Sequence, residues 1–269
     1  MKTKLKFRHP VLVDKGKLNH LFHEKSTSLS VLVFSLFLLP KAYGQFSIDV
    51  ESGVAFQASN EIRIFNIQGT LFDFKKDFDI QGPVIPVRVR IGYTFNEENH
   101  LFALWAPLQI KYEGAAPRAI RFQDAQFAQG SAIDGLYRFN SYRLTYRRDV
   151  VQSDRWTLGV GLTGKIRDAS VQLEDEVNGV ERNDNVGPVP LLHLFAAYHM
   201  RDASVYFGDD GLASKQGRAF DLFLGTRIPL AERLDLKAGY RVLEGGTDSD
   251  EVYNFSWINY ASVGLVFDF

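Results

Sequence analysis

The final stretch of the chain, residues 252–269, alternates between two kinds of side chain and restricts the possible folds more than any other segment. Its first face is largely apolar and comprises Tyr253, Phe255, Trp257, Asn259, Ala261, Val263, Leu265, Phe267 and Phe269. The intervening residues are mostly small or polar. A two-residue period indicates a β-strand whose faces meet different environments. At about 3.3 Å per residue, this strand is long enough to cross a bilayer at a tilt.

This terminal strand resembles the closing strand of bacterial outer-membrane β-barrels, since it is alternating and ends the chain on Phe269. In that class, the barrel-assembly machinery reads the closing strand. The resemblance therefore implies an insertion signal formed by Tyr253, Phe255, Trp257, Val263, Leu265, Phe267 and Phe269. It also implies that outer-membrane lipid surrounds the apolar face.

The composition excludes several classes of protein. The chain has 269 residues, enough for one large β domain or two small ones, and it contains no cysteine. Disulfide-stabilised folds, thiolate metal sites and cysteine nucleophiles are therefore excluded. The slightly negative mean hydropathy argues against a helical membrane bundle. A membrane barrel can be this polar, because only every second residue of its strands faces lipid.

Residues 1–44 have the pattern of a signal peptide. A lysine-rich leader precedes the apolar run 29–39, which is too short to span a bilayer as a helix. Small residues at Ala42 and Gly44 then fit a signal-peptidase site, which predicts cleavage between Gly44 and Gln45 and a barrel domain of residues 45–269. A retained signal anchor is the alternative. Cleavage leaves 23 basic and 30 acidic residues, a net charge near −7 that argues against a nucleic-acid partner.

Alternating segments recur along residues 45–269 and predict ten strands. They are Phe46–Gln57, Val84–Phe95, His100–Tyr112, Ile133–Arg148, Arg155–Leu173, Pro188–Met200, Ala203–Gly208, Arg218–Pro229, Leu234–Leu243 and Val252–Phe269. Long polar loops near 58–83, 113–132, 174–187, 209–217 and 244–251 alternate with short turns. The fifth strand loses its alternation near Asp168, which predicts a bulge.

These features predict an all-β fold, a transmembrane antiparallel up-and-down β-barrel of about ten strands. An even strand count with long and short connections in turn is typical of outer-membrane barrels. Eight or twelve strands are alternatives, and a soluble lipocalin-like or sandwich protein is the rival fold.

Charged residues in the inward phase of the strands form the candidate functional site. The basic ones are Arg88, Arg90, Arg143, Arg147, Lys165, Arg167, Arg227, Lys237 and Arg241, and the acidic ones include Asp49, Glu51, Asp221 and Asp235. They could attract a small anion through an open lumen. Alternatively, they pair with one another and fill a narrow barrel, and we favour this interpretation.

Motifs for catalysis and nucleotide binding are weak. The glycines Gly159, Gly161 and Gly164 match G-x-G-x-x-G, but they lie inside an alternating strand and not before a helix. A ten-stranded barrel resembles the omptin surface proteases, which use Asp and His at the barrel mouth. His193 and His199 share a phase, but six residues of strand separate them by about 20 Å. The sequence predicts neither a metal site nor a cofactor.

The sequence therefore predicts an exported outer-membrane barrel of a Gram-negative bacterium with a structural, surface-interaction or limited, porin-like pore role. Two alternatives stay open. One is a channel for a small anionic solute, and the other is an enzyme acting on lipid or peptide at the extracellular rim. An enzyme is the less favoured of these readings.

Overall fold

A computed structural model describes residues 44–65, 68–215 and 217–269. Of the predicted leader, residues 1–44, all but Gly44 lie outside the described residues, so cleavage between Gly44 and Gln45 stays a prediction. In the described part of the chain, no helix combines the length and the apolar character needed to cross a bilayer.

The described residues form fifteen strands and one short helix, numbered here in chain order. They are β1 (Gly44–Ile64), β2 (Phe72–Asp73), α1 (Phe74–Asp77), β3 (Asp79–Ile80), β4 (Arg88–Phe95), β5 (Asn99–Ala106), β6 (Gln109–Ala115), β7 (Ile120–Phe122), β8 (Ala125–Phe127), β9 (Ala132–Gln152), β10 (Trp156–Asp175), β11 (Gly179–His199), β12 (Ser204–Ser214), β13 (Gly217–Ala231), β14 (Leu234–Asp248) and β15 (Val252–Asp268). The barrel wall consists of β1, β4, β5 and β9 to β15.

Antiparallel pairing between β15 and β1 closes the wall. This ladder runs from Val252 opposite Ile64 to Asp268 opposite Ser47. The amide of Phe269 then donates to the carbonyl of Phe46 over 2.8 Å. The other wall strands pair antiparallel with the wall strands before and after them in the chain. The predicted fold class is confirmed: an all-β, transmembrane, antiparallel up-and-down barrel with ten wall strands.

Several predicted loops are wrong, because the strands extend well beyond the apolar belt. The predicted loop at residues 174–187 is strand, since β10 and β11 pair as far as Asp175 opposite Gly179. The predicted loop at residues 209–217 is also mostly strand, because β12 runs to Ser214. Residues 176–178 form the short turn that joins β10 and β11, and Gly179 follows it at φ +67°. A glycine in the left-handed region after such a three-residue loop is a known hairpin signal, which the polar composition concealed.

Two local predictions also need correction. The predicted strand His100–Tyr112 is interrupted at Pro107, which has no N–H for a ladder, and it divides into β5 and β6. The bulge predicted near Asp168 is absent from the β9–β10 ladder, whose register shift lies at Leu158 and Gly159. The alternation changes at Asp168 because this carboxylate binds Arg138 and Asn140, each over 3.0 Å, in a polar part of the wall beyond the apolar belt.

An apolar belt covers the outside of the barrel. On β15, Trp257, Val263, Leu265 and Phe267 are exposed on this face, while Tyr253, Phe255 and Phe269 are half-buried. Trp257 and Phe267 lie ten residues apart, about 33 Å along the strand. With a strand tilt of about 40°, this spacing gives a band about 25 Å tall, the height of the apolar band in membrane barrels.

Placing arginine within the belt should therefore destabilise the barrel. Val263→Arg is expected to lower the free energy of unfolding by about 2–4 kcal/mol, because its charge would enter the hydrocarbon region. Val177→Arg is the matched control. Its site is 87% exposed at the tip of the β10–β11 hairpin, and the change should stay within about 0.5 kcal/mol. Urea titration of protein refolded in lipid vesicles measures both, and equal losses would contradict a lipid-facing Val263.

Candidate functional site in the barrel lumen

A network of buried ion pairs crosses the barrel lumen. The strand period turns its side chains inward from different parts of the wall: Asp49 and Glu51 on β1, Arg88 on β4, Arg143 on β9, Asp210 on β12, Asp221 on β13, and Lys237 and Arg241 on β14. These eight groups comprise four carboxylates and four cations. Most are at least nine-tenths buried, so each charge depends on the others for its solvation.

Arg241 and Asp221 lie at the centre of this network. Arg241 binds Glu51 through two parallel contacts of 2.8 Å, and its remaining nitrogen lies 2.5 Å from Asp221. Asp221 also accepts from Arg88 over 2.9 Å and lies 2.6 Å from Arg143. Because β13 is four strands from both β4 and β9 in the wall, these contacts span the lumen.

Asp210 and Glu51 extend the network to either side. Asp210 accepts from Arg143 and His193, each over 2.8 Å, and from the Thr163 hydroxyl over 2.7 Å. On the other side, Lys237 lies 2.5 Å from Glu51 and 2.8 Å from Asp49. Each of the four carboxylates thus has at least one cationic partner, which is the condition for burying such groups without a large penalty.

Lys165 is the exception among the predicted lumen residues near the network. Its side chain is buried, and its ammonium nitrogen lies 4.6 Å from the centroid of the Phe139 ring. Within the described part of the chain, no carboxylate forms an ion pair with it. A cation–π contact is its principal stabilising contact.

Above the network, an apolar plug fills the outer half of the lumen. Inward side chains of the wall contribute Ile62, Ile133, Tyr137, Val171, Leu173, Ile258 and Tyr260. Segments between wall strands fold in to meet them and contribute Phe72, Phe74, Phe78, Ile110, Tyr112, Ile120, Phe122 and Phe127. The plug is continuous with the wall, and so the outer connections form an ordered cap.

Close aromatic packing and a few polar contacts hold the plug in place. Phe74 stacks on Tyr112 with ring centroids 4.2 Å apart, and it lies over Gly135, where a Cβ atom would come within 2.6 Å of the ring. Asp73 caps α1 through the Lys75 amide. Burial raises the pKa of the Tyr112 hydroxyl, which donates to Gln57 over 2.5 Å.

The predicted lumen residues therefore fall into separate groups. The network brings together Arg88, Arg143, Asp221, Lys237 and Arg241, with Lys165 nearby. Arg90 and Arg147 lie closer to the short-turn end and pack on Phe102, and Arg147 also binds Asp149 over 2.8 Å. Two arginines have other partners: Arg227 pairs with Asp235 and Asp268, and Arg167 contacts Asn185.

Sequence reasoning missed Asp210 and the plug. Asp210 was assigned to a loop, although it continues the inward phase of Tyr206 and Gly208 on β12. The plug segment had a visible signal too, because Phe72, Phe74 and Phe78 are out of place in an exposed polar loop. Aromatic residues at this density indicate a buried segment.

A cavity beside Arg88, Arg143 and Tyr260 has a volume of about 10 Å³, which is room for one water molecule. A larger groove of about 200 Å³ lies at the outer rim and is lined in part by Glu61, Arg218 and Trp257.

Among the described residues, no histidine lies at that rim. His100 contacts Thr94 and Asp149, and His199 contacts Thr157, all over 2.8 Å and near the short-turn end. His193 lies in the network. His193 and His199, which share a phase on β11, have separate partners, in line with the distance expected between them. The described residues hold no group of three or more acidic or histidine side chains suited to a metal ion.

Comparisons with known proteins yield structural likeness alone. No family model and no curated protein matches the chain. The outer-membrane protease OmpT of Escherichia coli is 8% identical, with 84% of this chain and 97% of that chain covered and a TM-score of 0.49. Ail, the attachment invasion locus protein of Yersinia pestis, is 12% identical, with 85% and 100% covered and a TM-score of 0.40.

A third likeness is to the translocator domain of the autotransporter NalP from Neisseria meningitidis. It is 11% identical, covers 93% of this chain and 96% of that chain, and has a TM-score of 0.41. These matches fall in the class of bacterial outer-membrane β-barrels that the closing strand resembles. Their roles differ.

The network predicts that replacing a buried arginine lowers the free energy of unfolding far more than replacing an exposed one. Arg241→Met is expected to lower the free energy of unfolding by about 3–5 kcal/mol, because Glu51 and Asp221 would lose their shared cation in a buried site. Arg218→Met removes a half-exposed arginine bound to Glu244 over 2.7 Å and should cost less than about 1 kcal/mol. Urea midpoints in lipid measure both, and a small effect at Arg241 would show that the network is not stabilising.

Proposed function

We propose that the protein is a non-conducting barrel of a Gram-negative outer membrane whose role is carried by its ordered outer cap. The closure of the lumen at two levels, by the ion network and by the apolar plug, is the observation that carries this proposal. The buried, mutually paired side chains of the network and the packed residues of the plug lie across the path that a solute would take. The barrel then serves to hold and orient a surface for interaction.

The orientation follows from the two ends of the barrel. Both β1 and β15 have their chain termini at the end with the short turns, and the plug segments lie at the other end. In outer-membrane barrels the short turns face the periplasm and the longer connections face outward. The leader of residues 1–44, cleaved between Gly44 and Gln45, would export the chain, and outer-membrane lipid would surround its belt.

The cap suits a surface-interaction role because its base is rigid. Loops that bind partners are commonly positioned by a rigid scaffold. Here Phe74, Tyr112 and Phe127 are almost completely buried and tie both long outer connections, β1 to β4 and β5 to β9, to one core. The exposed residues of those segments are thereby fixed relative to the membrane.

Neither alternative function has comparable support. An anion channel would use Lys165, which has no carboxylate partner among the described residues, but the plug lies above it. An enzyme at the rim would need a nucleophile with a general base. The described rim instead pairs Arg218 with Glu244 and Tyr253 with Glu61.

Single-channel recording in a planar bilayer tests the proposal. The mature chain, shown to be inserted, is expected to give no stable conductance steps. The positive control lacks residues 71–80 and carries Glu51→Ser, Asp221→Ser and Arg241→Ser, and it should conduct because both obstructions are weakened. Stable ion-selective steps from the unaltered chain would overturn the proposal and favour a channel.

We also propose that the barrel-assembly machinery recognises the closing strand, from Tyr253 to Phe269. Phe269→Ala keeps the backbone bond to Phe46 and removes only the terminal ring. It should therefore reduce the assembled fraction in cells and leave refolding of the purified chain in detergent unchanged. A protease-resistant, folded band reports both. Equal losses in cells and in detergent would indicate a role in stability and not in recognition.

A further inference from the structure

One wall strand leaves a backbone edge unpaired above the barrel. On one side β11 pairs with β10 from Tyr198 to Gly179. On its other side it pairs with β12 only from His199 to Leu192. The described residues supply no backbone partner for residues 179–191 on that side, and residues 179–187 are called here the free edge. Its midpoint, Asn183, lies nine residues beyond Leu192, about 30 Å along the strand.

The backbone groups of this edge point alternately toward β10 and away from it. The His199 amide donates back to Arg155, before β10, whereas the Met200 amide donates to Ala203, before β12. Because the β10–β11 register has no shift, even-numbered residues of β11 direct their N–H and C=O groups away from β10. A contact with another segment agrees, since the carbonyl of Arg182 accepts from the Gln123 side chain over 3.2 Å. This is a side-chain contact, and a pairing strand would have to replace it.

Two prolines restrict backbone pairing along the part of β11 that lies next to the barrel. Pro188 and Pro190 have the same even phase, so the N–H groups that they lack would have pointed outward from the edge. Proline is a common means of protecting an exposed strand edge from unwanted pairing. Above Pro188 that protection stops, and Val180 and Val186 are 54% and 67% exposed.

The sequence of the free edge is nearly self-complementary. It reads Gly179-Val180-Glu181-Arg182-Asn183-Asp184-Asn185-Val186-Gly187. If it pairs antiparallel with a second copy across a two-fold axis at Asn183, Arg182 lies opposite Asp184 and Val180 lies opposite Val186. Both pairs fall on even-numbered residues, so they are hydrogen-bonded pairs of the new ladder.

Charge selects this register over its neighbours. An axis at Arg182 would place two arginines opposite each other, and an axis at Asp184 would place two aspartates together. Like charges directly opposite destabilise a strand pair, whereas opposite charges stabilise it. Within one strand Arg182 already lies 3.0 Å from Asp184, and both side chains are about half exposed. A second copy would extend this pair to four alternating charges.

We propose that the protein binds itself across two facing outer membranes through the free edge of β11. Antiparallel pairing requires one hairpin to point up and the other to point down, which two barrels standing side by side in one membrane cannot provide. Barrels in opposed membranes satisfy it, with the axis parallel to both membranes. The partner is thus a second copy of this chain, bound by strand addition. This inference rests on the proposed outward orientation of the cap.

Clustering of lipid vesicles that contain the mature chain tests the proposal. Light scattering should show clustering for the unaltered chain and a decrease of about ten-fold in clustering rate for Arg182→Asp or Asp184→Arg, because each variant opposes like charges. A mixture of vesicles carrying the two variants should cluster again, since all opposed charges are then of opposite sign. Lys215→Asp, a charge reversal in the β12–β13 loop, is the matched control and should leave clustering unchanged.

Cysteine cross-linking tests the position of the axis in a chain that has no other cysteine. Asn183→Cys should form a disulfide between differently labelled vesicles, because the two residues face each other in a pair that is not hydrogen-bonded. Asn185→Cys alone should not cross-link, but it should do so when mixed with Glu181→Cys.

A labelling control separates the possible failures. Labelling of Val177→Cys by an impermeant reagent shows that the hairpin faces outward, so a wrong orientation is distinguished from absent self-binding. With outward hairpins, three results would overturn the proposal: no clustering, clustering unaffected by the charge changes, or cross-links confined to single vesicles.

Discussion

The ladder between β15 and β1 is the interaction on which the rest of this structure depends. A bilayer core has no water to bind backbone groups, so a sheet can cross it only when no edge is left open. The terminal pairing from Ser47 to Ile64 meets that condition. Once the wall is closed, alternation along every strand divides side chains between lipid and lumen. The narrow lumen of a ten-stranded barrel then removes its polar residues from water as well.

Closure therefore buries the inward polar residues away from water. The two levels of the lumen stabilise this burial in different ways. At belt level the inward residues are charged, and each carboxylate has a cation within reach, as when Asp221 is shared by three arginines. Beyond the belt the inward residues become apolar, and segments such as α1 fold inward to cover them. Without the apolar plug, water would enter the outer mouth of the barrel and reach the charged network. Without the charged pairs, the inward charges below the plug would be buried without partners. Together they make a closed and ordered body.

Alternation in the sequence shows which face of a strand each residue occupies. That information is enough to predict the fold, but it does not show which residues contact each other. The ten strands and the inward phase of Arg88, Arg143 and Arg241 follow from it. The pairing of Arg241 with Glu51 does not, because 190 residues separate them and only the closing ladder brings them together. The extended β10–β11 hairpin was concealed for another reason: above the membrane both faces of a strand are solvated, so the apolar signal disappears while the backbone ladder continues. The plug required aromatic density in a polar segment to be interpreted as burial.

A barrel has no exposed strand edges only where neighbouring strands extend equally far from the membrane. Above the belt, β11 continues past the end of its ladder with β12, and an edge reappears outside the membrane. Outside the membrane water can bind such backbone groups, so the edge is not a folding defect, but it can pair with a compatible strand. Pro188 and Pro190 prevent pairing near the barrel, and the charges of Arg182 and Asp184 favour one register with one kind of strand, an identical copy. In the proposed self-association, the same unequal strand lengths that carry the hairpin beyond the membrane also place its edge where a copy in an opposed membrane can reach it.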